Sequence, residues 1–496
     1  MDGPSSSDPS ATDPSATPRP GGLTPPADLP GSIADLRSSG WASVPVAEEM
    51  RRNTAKRIAA GSTLVPGVLG FEDTVVPQLE NAILAGHDII LLGERGQAKT
   101  RVIRSMVGLL DDWMPIIAGS EINDDPYNPV SRYALDRVEE LGEATPVAWV
   151  HRSQRYGEKL ATPDTSIADL IGEVDPIKIA EGRYLSDELA LHFGLIPRVN
   201  RGIFAINELP DLSERIQVGL LNILEERDVQ IRGHRIRLPL DITLVATANP
   251  EDYTNRGRII TPLKDRFGAQ IRTHYPFETM TEVKIMEGEA DLPTAGVPVT
   301  VPKFMKEVVA EISQLARRST HLNQRSGVSV RLSIANYETL VASAVRRALR
   351  TGEPVAVPRI SDLSALVPST QGKIEVEAME EGHEDEVVAQ LVAAATLAVF
   401  RRRVTLDDPQ SIVAAFHEQV VVHVGDDLPS SAYLSVLADV PELEPPTRKL
   451  AGPEAAEAES PALMASALEF LLEGLHLTKR LNKDASGARA LYRGRK

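Results

Sequence analysis

Between residues 41 and 290 the chain alternates short apolar runs with amphipathic stretches of helical period. The clearest runs are Ile89-Ile90-Leu91-Leu92, Val147-Ala148-Trp149-Val150, Ile203-Phe204-Ala205-Ile206 and Ile242-Thr243-Leu244-Val245. A run that is apolar at consecutive positions has no side to turn to water. These runs therefore predict strands buried on both faces, as in a parallel sheet covered by helices. From about residue 300 the period becomes helical, with Phe304, Val308, Ile312 and Leu315, then Val387, Val388, Leu391, Val392 and Ala395. The expected fold is an α/β domain over 41–290, followed by a smaller α-helical domain over 291–440.

The flanks read differently. Residues 1–40 are rich in Pro, Ser, Gly and Asp and predict a disordered tail, because they offer too little apolar surface to offset chain entropy. A solubilising role suits that composition better than a regulatory one. Residues 441–460, with several Pro, Ala and Glu, predict a linker. Residues 461–496 predict an apolar helix, Leu463 to Leu477, then a basic end containing Lys479, Arg480, Lys483, Arg489, Arg493, Arg495 and Lys496. Patterning leaves open whether that end docks a partner or packs on its own protein.

Composition narrows the function. The chain has 496 residues, no cysteine and a formal charge of −17. Disulfides, thiol catalysis and cysteine metal sites are excluded, and an acidic surface argues against nucleic acid as a direct partner. The ten histidines lack the spacing of a metal-binding helix. No apolar run approaches the ~20 residues of a membrane span, and no signal peptide pattern opens the chain, so the expected location is cytoplasmic.

The strongest chemical signal is Gly93-Glu94-Arg95-Gly96-Gln97-Ala98-Lys99-Thr100, between the strand ending at Leu92 and a helix carrying Val102, Ile103, Met106 and Leu109. Strand, Gly-rich loop and helix in this order make a phosphate-binding loop: backbone N–H groups turn inward around the phosphates. Lys99 would reach the β- and γ-phosphates and the Thr100 hydroxyl would bind Mg²⁺. Ala98 stands where the common pattern has Gly. A second signal is the strand Gly202 to Ile206 ending in Asn207-Glu208, where Glu208 can polarise water. Asn207 occupies the position at which P-loop ATPases carry an Asp near Mg²⁺; it keeps an oxygen acceptor and loses the charge. Further along come Asn249 after the strand Ile242 to Ala246, then Lys264 and Arg266, then Arg331 opening a later helix.

Taken together over roughly residues 65 to 350, these segments resemble the AAA+ ATPases of the magnesium-chelatase I-subunit and MoxR group. Ala98-Lys99-Thr100 is similar to the MoxR loop. Asn200-Arg201-Gly202-Ile203-Phe204 and the run Gln217 to Arg227 are similar to the chelatase segments around the acidic pair. The resemblance implies an AAA+ core with an α-helical lid, ATP and Mg²⁺ as cofactors, and a homo-oligomeric, hexameric ring. Lys99 and Thr100 would be its Walker A pair, Asn207 and Glu208 its Walker B pair, with Thr100 and Asn207 toward the metal and Asn249 as sensor 1. Arg266 would be the arginine finger, assisted by Lys264, and Arg331 the lid arginine. It also implies a protein partner with a von Willebrand factor A-type domain. From Lys99 to Glu208 the chain runs 109 positions, and residues 165–201, with Asp169-Leu170-Ile171-Gly172, resemble the family's hairpin insertion.

The leading expectation is an ATPase that remodels or activates a protein partner. One alternative is the motor subunit of a magnesium chelatase, inserting Mg²⁺ into a porphyrin. Another is a weakly hydrolysing, nucleotide-dependent scaffold, which Asn207 motivates. An enhancer-binding transcription activator is disfavoured, since its Gly-Ala-Phe-Thr-Gly-Ala loop is missing from the sequence.

Overall fold

The computed structural model describes residues 24–175, 177, 180, 188–226, 228–230, 237–249, 258–292, 295–323, 327–376, 382–405, 409–417, 420–452, 460–486 and 489–494. The chain divides into two compact units, one of residues up to 94 and 98–274, the other of residues 95–97 and 275–496.

The first unit is built on five parallel strands: β1 (Ile89–Leu92), β2 (Tyr156–Leu160), β3 (Gly202–Asn207), β4 (Ile242–Ala248) and β5 (Ala269–Arg272). Their order across the sheet is β5-β1-β4-β3-β2. Successive side chains point to opposite faces. Ile89 and Leu91 pack with Ile203, Ala205 and Val245 against Val102, Ile103 and Met106 on one face. Ile90, Phe204, Ile206 and Leu244 pack on the other face against Leu220, Ile223 and Leu263. Both faces are buried, as the unbroken apolar runs predict. The register aligns Leu92 with Ala248, and Leu160 with Asn207, so the strands deliver their carboxyl ends to one edge. In open α/β sheets that edge is where ligands bind.

The predicted strand at Val147–Val150 forms, as Val147–His151, but outside this sheet. It pairs antiparallel with Trp113–Ile117, from Trp113↔His151 to Ile117↔Val147. Only Val147 in it is fully buried, which suits a ribbon covered on one side. The parallel positions are taken instead by Tyr156–Leu160 and Ala269–Arg272, whose mixed polarity hid them.

The expected tail also differs from what its described part does. Residues 24–40 include a helix, Ile33–Ser38, capped by Ser32 and burying Ile33 and Leu36. The Trp149 indole N–H donates to the Pro30 carbonyl at 2.9 Å, and Val147 N–H to the Gly31 carbonyl at 3.0 Å. Residues 1–23 lie outside the described residues. In the 165–201 segment a short antiparallel hairpin joins Gly172–Val174 to Leu191–Phe193, and most of the residues between lie outside the described ones.

The second unit is mainly helical from Thr279–Glu289 onward and runs through the last described residues. The segment expected as a linker contains the helix Glu444–Ala451. The apolar helix, Pro461–Leu477, is buried from Ala462 to Leu475 and sits at the centre of the core, its Phe470 stacked on Phe304 at 4.5 Å between centroids. A side chain at Gly474 would collide with the Phe400 ring, which explains the glycine there. The basic end folds back as a hairpin, Leu481–Ser486 with Arg489–Gly494, flanked by Val421–Gly425. Lys483 pairs with Glu473 at 2.7 Å and Arg493 with Asp484 at 2.8 Å, so these charges are used within the unit. Among the described residues no helix is long and apolar enough to cross a membrane.

Candidate nucleotide site

The loop after β1 starts with Gly93 N–H donating to the Ala248 carbonyl at 3.1 Å, which ties it to β4. Gly96 and Ala98 then take positive φ, +73° and +52°, before Lys99 opens the helix Lys99–Ser105. The left-handed turn at Ala98 is the conformation that glycine adopts freely, and here a methyl group carries the strain. Lys99 is buried, and its Nζ donates to the Gly93 carbonyl, to the Glu94 carbonyl at 2.8 Å and to Asn249 Oδ1 at 2.7 Å.

From Asn249 the connection continues: its Nδ2 donates to Glu208 Oε2 at 2.7 Å. One amide thus presents its oxygen to an ammonium and its nitrogen to a carboxylate, each end matched to its charge. Glu208 itself adopts φ +56°, and its N–H donates to Thr247 Oγ1 at 3.0 Å. A non-glycine residue in that region costs on the order of 1–3 kcal/mol and persists only where its surroundings fix it. Lys99, Asn249 and Glu208, called from the sequence, are therefore brought into one hydrogen-bonded chain at the carboxyl edge of the sheet.

Asn207 is buried, and Thr247 Oγ1 donates to its Oδ1 at 3.5 Å. Its Nδ2 donates to Glu158 Oε1 at 2.5 Å. Glu158, on β2, was not singled out from the sequence. It also accepts from Arg104 Nε at 3.0 Å and from Tyr156 Oη at 2.8 Å. Burial, and then the Glu158 charge, push the Tyr156 phenol well above its usual range, and the same carboxylate raises Arg104. An isolated acid in Tyr156-Gly157-Glu158-Lys159-Leu160 carries no sequence signal; only the pairing of β2 with β3 gives it one.

The remaining predicted residues make bonds of their own. Arg266 ends the helix Thr261–Arg266 and bonds through Nε to Glu225 Oε2 at 2.9 Å and through Nη1 to the Pro262 carbonyl at 2.9 Å. Lys264 is in the same helix. Arg331 opens the helix Arg331–Thr351 of the second unit, its N–H donating to Ser329 Oγ at 3.1 Å. In that unit, too, Tyr275 Oη donates to the Arg95 carbonyl at 2.8 Å.

A triphosphate with Mg²⁺ fits this set of groups. A loop with two left-handed residues turns backbone N–H groups inward, and a lysine is anchored within it. The Thr100 hydroxyl and the carboxylates of Glu208 and Glu158 are the hard oxygen donors that Mg²⁺ takes alongside phosphate. Among the described residues no cluster of three His, Asp or Glu side chains forms a separate metal site.

A cavity of about 440 Å³ lies at the opposite edge, lined by Pro45, Asp88, Asp125, Arg201 and Asp241 among others. Its charges are answered locally. Asp241 accepts from Val46 N–H at 2.8 Å, Asp88 from Leu244 N–H at 2.8 Å, and Arg201 faces Asp125 at 3.4 Å.

Residues 140–267 match the AAA domain (dynein-related subfamily). The chain is 26% identical over 269 residues to magnesium-chelatase subunit ChlI of Nostoc sp. strain PCC 7120, covering 52% of this chain and 67% of that protein. It is 27% identical to the Anabaena variabilis ChlI, covering 45% of this chain and 62% of that one. For the chloroplastic ChlI-1 of Arabidopsis thaliana the figures are 29%, 41% and 45%. The chain thus spans about half to two-thirds of the length of these relatives. A solved chain from the BchI–BchD complex of magnesium chelatase aligns at 20% identity, covering 64% of this chain and 97% of that one, with a TM-score of 0.34, a superposition too loose to carry residue roles.

Proposed function

The chain belongs to the AAA+ proteins of the magnesium-chelatase I-subunit and MoxR group, and from that premise we propose that it binds ATP with Mg²⁺ and hydrolyses it as an oligomeric ring to remodel a protein partner. The observation that carries this reading is the bonded chain Lys99–Asn249–Glu208 at the carboxyl edge of the parallel sheet. ATP supplies the reacting phosphoryl group, and Mg²⁺ neutralises charge on its oxygens. Backbone N–H groups of the loop from Gly93 to Thr100, with the Lys99 ammonium, hold the phosphates. Thr100 and Asn207 would lie toward the metal, and Glu208 orients the attacking water and accepts its proton. Asn249 holds the Glu208 carboxylate at a fixed angle, so that little reorganisation accompanies proton transfer.

Arg266 belongs to the neighbouring protomer's site in this reading, and Arg331 is the lid arginine. A finger supplied across an interface contributes ~10³–10⁵ in rate, so the isolated subunit should be nearly inactive. Its present partner Glu225 is an exposed acid, and an exposed ion pair of this kind is worth only ~0–1 kcal/mol, a small barrier to exchange. The hairpin at Gly172–Val174 and Leu191–Phe193 projects toward the client or ring pore, and a protein with a von Willebrand factor A-type domain is the expected partner.

ATPase turnover of the purified oligomer, compared with Lys99→Ala, Glu208→Gln and Arg266→Ala, tests the proposal. Each variant should lose at least ~10²-fold, Arg266→Ala without loss of nucleotide binding; turnover unchanged in all three would refute it. The ChlI relatives favour a second reading, a chelatase motor subunit, for which Mg²⁺ insertion into a porphyrin in the presence of the other chelatase subunits is the test.

A further inference from the structure

Asn207 leaves the nucleotide site one carboxylate short, and the sheet brings another beside it. β2 and β3 pair in parallel with Glu158 opposite Ala205 and Leu160 opposite Asn207. Alternation places Ala205 and Asn207 on one face of β3. That face is the one covered by the P-loop helix, since Ile203 and Ala205 share a core with Val102 and Ile103. Glu158 is on the same side, because Arg104 from that helix reaches it at 3.0 Å. Thr100 and Arg104 are four residues apart and so lie on one face of the helix, one turn from each other. Glu158 is thus flanked by the Asn207 amide and by the side of the helix that carries the Thr100 hydroxyl. Its side chain keeps 20% of its surface exposed, and a ligand cation would reach it by exchanging with the Arg104 guanidinium, which bonds both carboxylate oxygens.

We propose that Glu158 supplies, from the neighbouring strand, the carboxylate toward Mg²⁺ that Asn207 does not. The proposal rests on the nucleotide reading above. It also accounts for the asparagine. Asn207 Nδ2 and Glu158 Oε1 are 2.5 Å apart. An aspartate at 207 would set two carboxylates against each other, and one of them would have to take up a proton or move away. The amide donates instead and holds the glutamate. Asn207 and Glu158 together carry one negative charge, as a lone aspartate would, moved from β3 to β2. Tyr156 aims the carboxylate through its other oxygen, while Arg104 bonds both oxygens, at 3.0 and 3.3 Å, and competes with a metal for the charge.

The test measures binding of a fluorescent, non-hydrolysable ATP analogue to the full-length oligomer over a Mg²⁺ titration, with Mn²⁺ binding by electron paramagnetic resonance as a second readout. Glu158→Gln should raise the half-saturating Mg²⁺ about 10–100-fold while leaving metal-free nucleotide affinity unchanged. Adding Asn207→Asp to Glu158→Gln should restore the Mg²⁺ response, because the charge returns to β3. Arg104→Gln separates this from a structural role: it should leave the half-saturating Mg²⁺ unchanged or lower it, by freeing the carboxylate from its cation. The proposal is overturned if Glu158→Gln binds nucleotide with the Mg²⁺ dependence of the wild type, if Asn207→Asp fails to rescue, or if Arg104→Gln mimics Glu158→Gln. Should the wild type bind no nucleotide at all, the nucleotide reading falls and this proposal with it; normal nucleotide binding with an unaltered Mg²⁺ response in Glu158→Gln removes this proposal alone.

Discussion

The two edges of the parallel sheet both bury charge, and they handle it in opposite ways. At the amino edge, Arg155 bonds Glu49 through both terminal nitrogens, at 2.7 and 2.5 Å, and turns Nε to the Arg201 carbonyl at 2.8 Å. Both side chains are almost wholly covered, at 1% and 6% exposure. Such a pair closes on itself and serves the fold. At the carboxyl edge an amide, Asn249, stands between Lys99 and Glu208, and a second amide, Asn207, holds Glu158, which also meets the more exposed Arg104 at 3.0 Å. Positive φ at Ala98 and Glu208 adds backbone strain at that edge. Amides stabilise an adjacent charge less than an opposite charge does, so they position ionised groups while leaving them able to interact with a ligand. On the proposed function, the contrast separates a buried charge that serves stability from one that serves chemistry.

The comparison is sharpest where one substitution is made at each edge. Glu208→Gln should retain nucleotide binding and lower turnover by ~10²–10⁴, measured as phosphate release, with an unfolding midpoint close to that of the wild type. Arg155→Ala should do the reverse. Leaving Glu49 buried without its cation costs about 3–5 kcal/mol of stability in denaturant unfolding, while the fraction that remains folded binds nucleotide normally. If Arg155→Ala altered turnover per folded molecule, or Glu208→Gln unfolded the protein, the division between the edges would be wrong.

Smaller effects refine it. Ala98→Gly should stabilise the protein by about 0.5–1 kcal/mol, since glycine accepts the left-handed turn without strain; calorimetry would detect the change. Asp241 tests the amino edge by pH. Burial raises its carboxyl above the usual range. The folded state therefore holds this proton more tightly than the unfolded chain, and its contribution to stability is full below the ordinary carboxylate value and lost as pH rises through the raised one. Asp241→Asn, which keeps an acceptor for Val46 N–H, should flatten the fall in unfolding midpoint from about pH 4 upward. An unchanged slope would place the titration elsewhere.

Local signals were legible in the sequence and distant pairings were not. The loop from Gly93 to Thr100 is contiguous, so its glycines, lysine and threonine announced themselves. Asn249 and Glu208 follow short apolar strands, which fixed their edge. The Asn207 substitution was visible, but Glu158 lies 49 positions away, and only strand register brings it alongside. Composition misled where proline was counted without position. In Glu444–Ala451 the prolines occupy the first turn, where a missing N–H costs nothing, so a segment expected as a linker is a helix. Residues 24–40 are held by Ile33 and Leu36, buried with Ile117, Ala134 and Val147, and by backbone bonds to Thr145 and Val147, distant pairings that no hydropathy pattern reveals.

Titration of a non-hydrolysable ATP analogue with Mg²⁺ into the wild-type protein and into Lys99→Ala tests the central claim most directly. Saturable binding by the wild type and a loss of at least ~10²-fold in the variant, with both proteins folded, is the predicted outcome. Equal affinity in the two, or no binding by either, would contradict the assignment of this edge of the sheet to nucleotide.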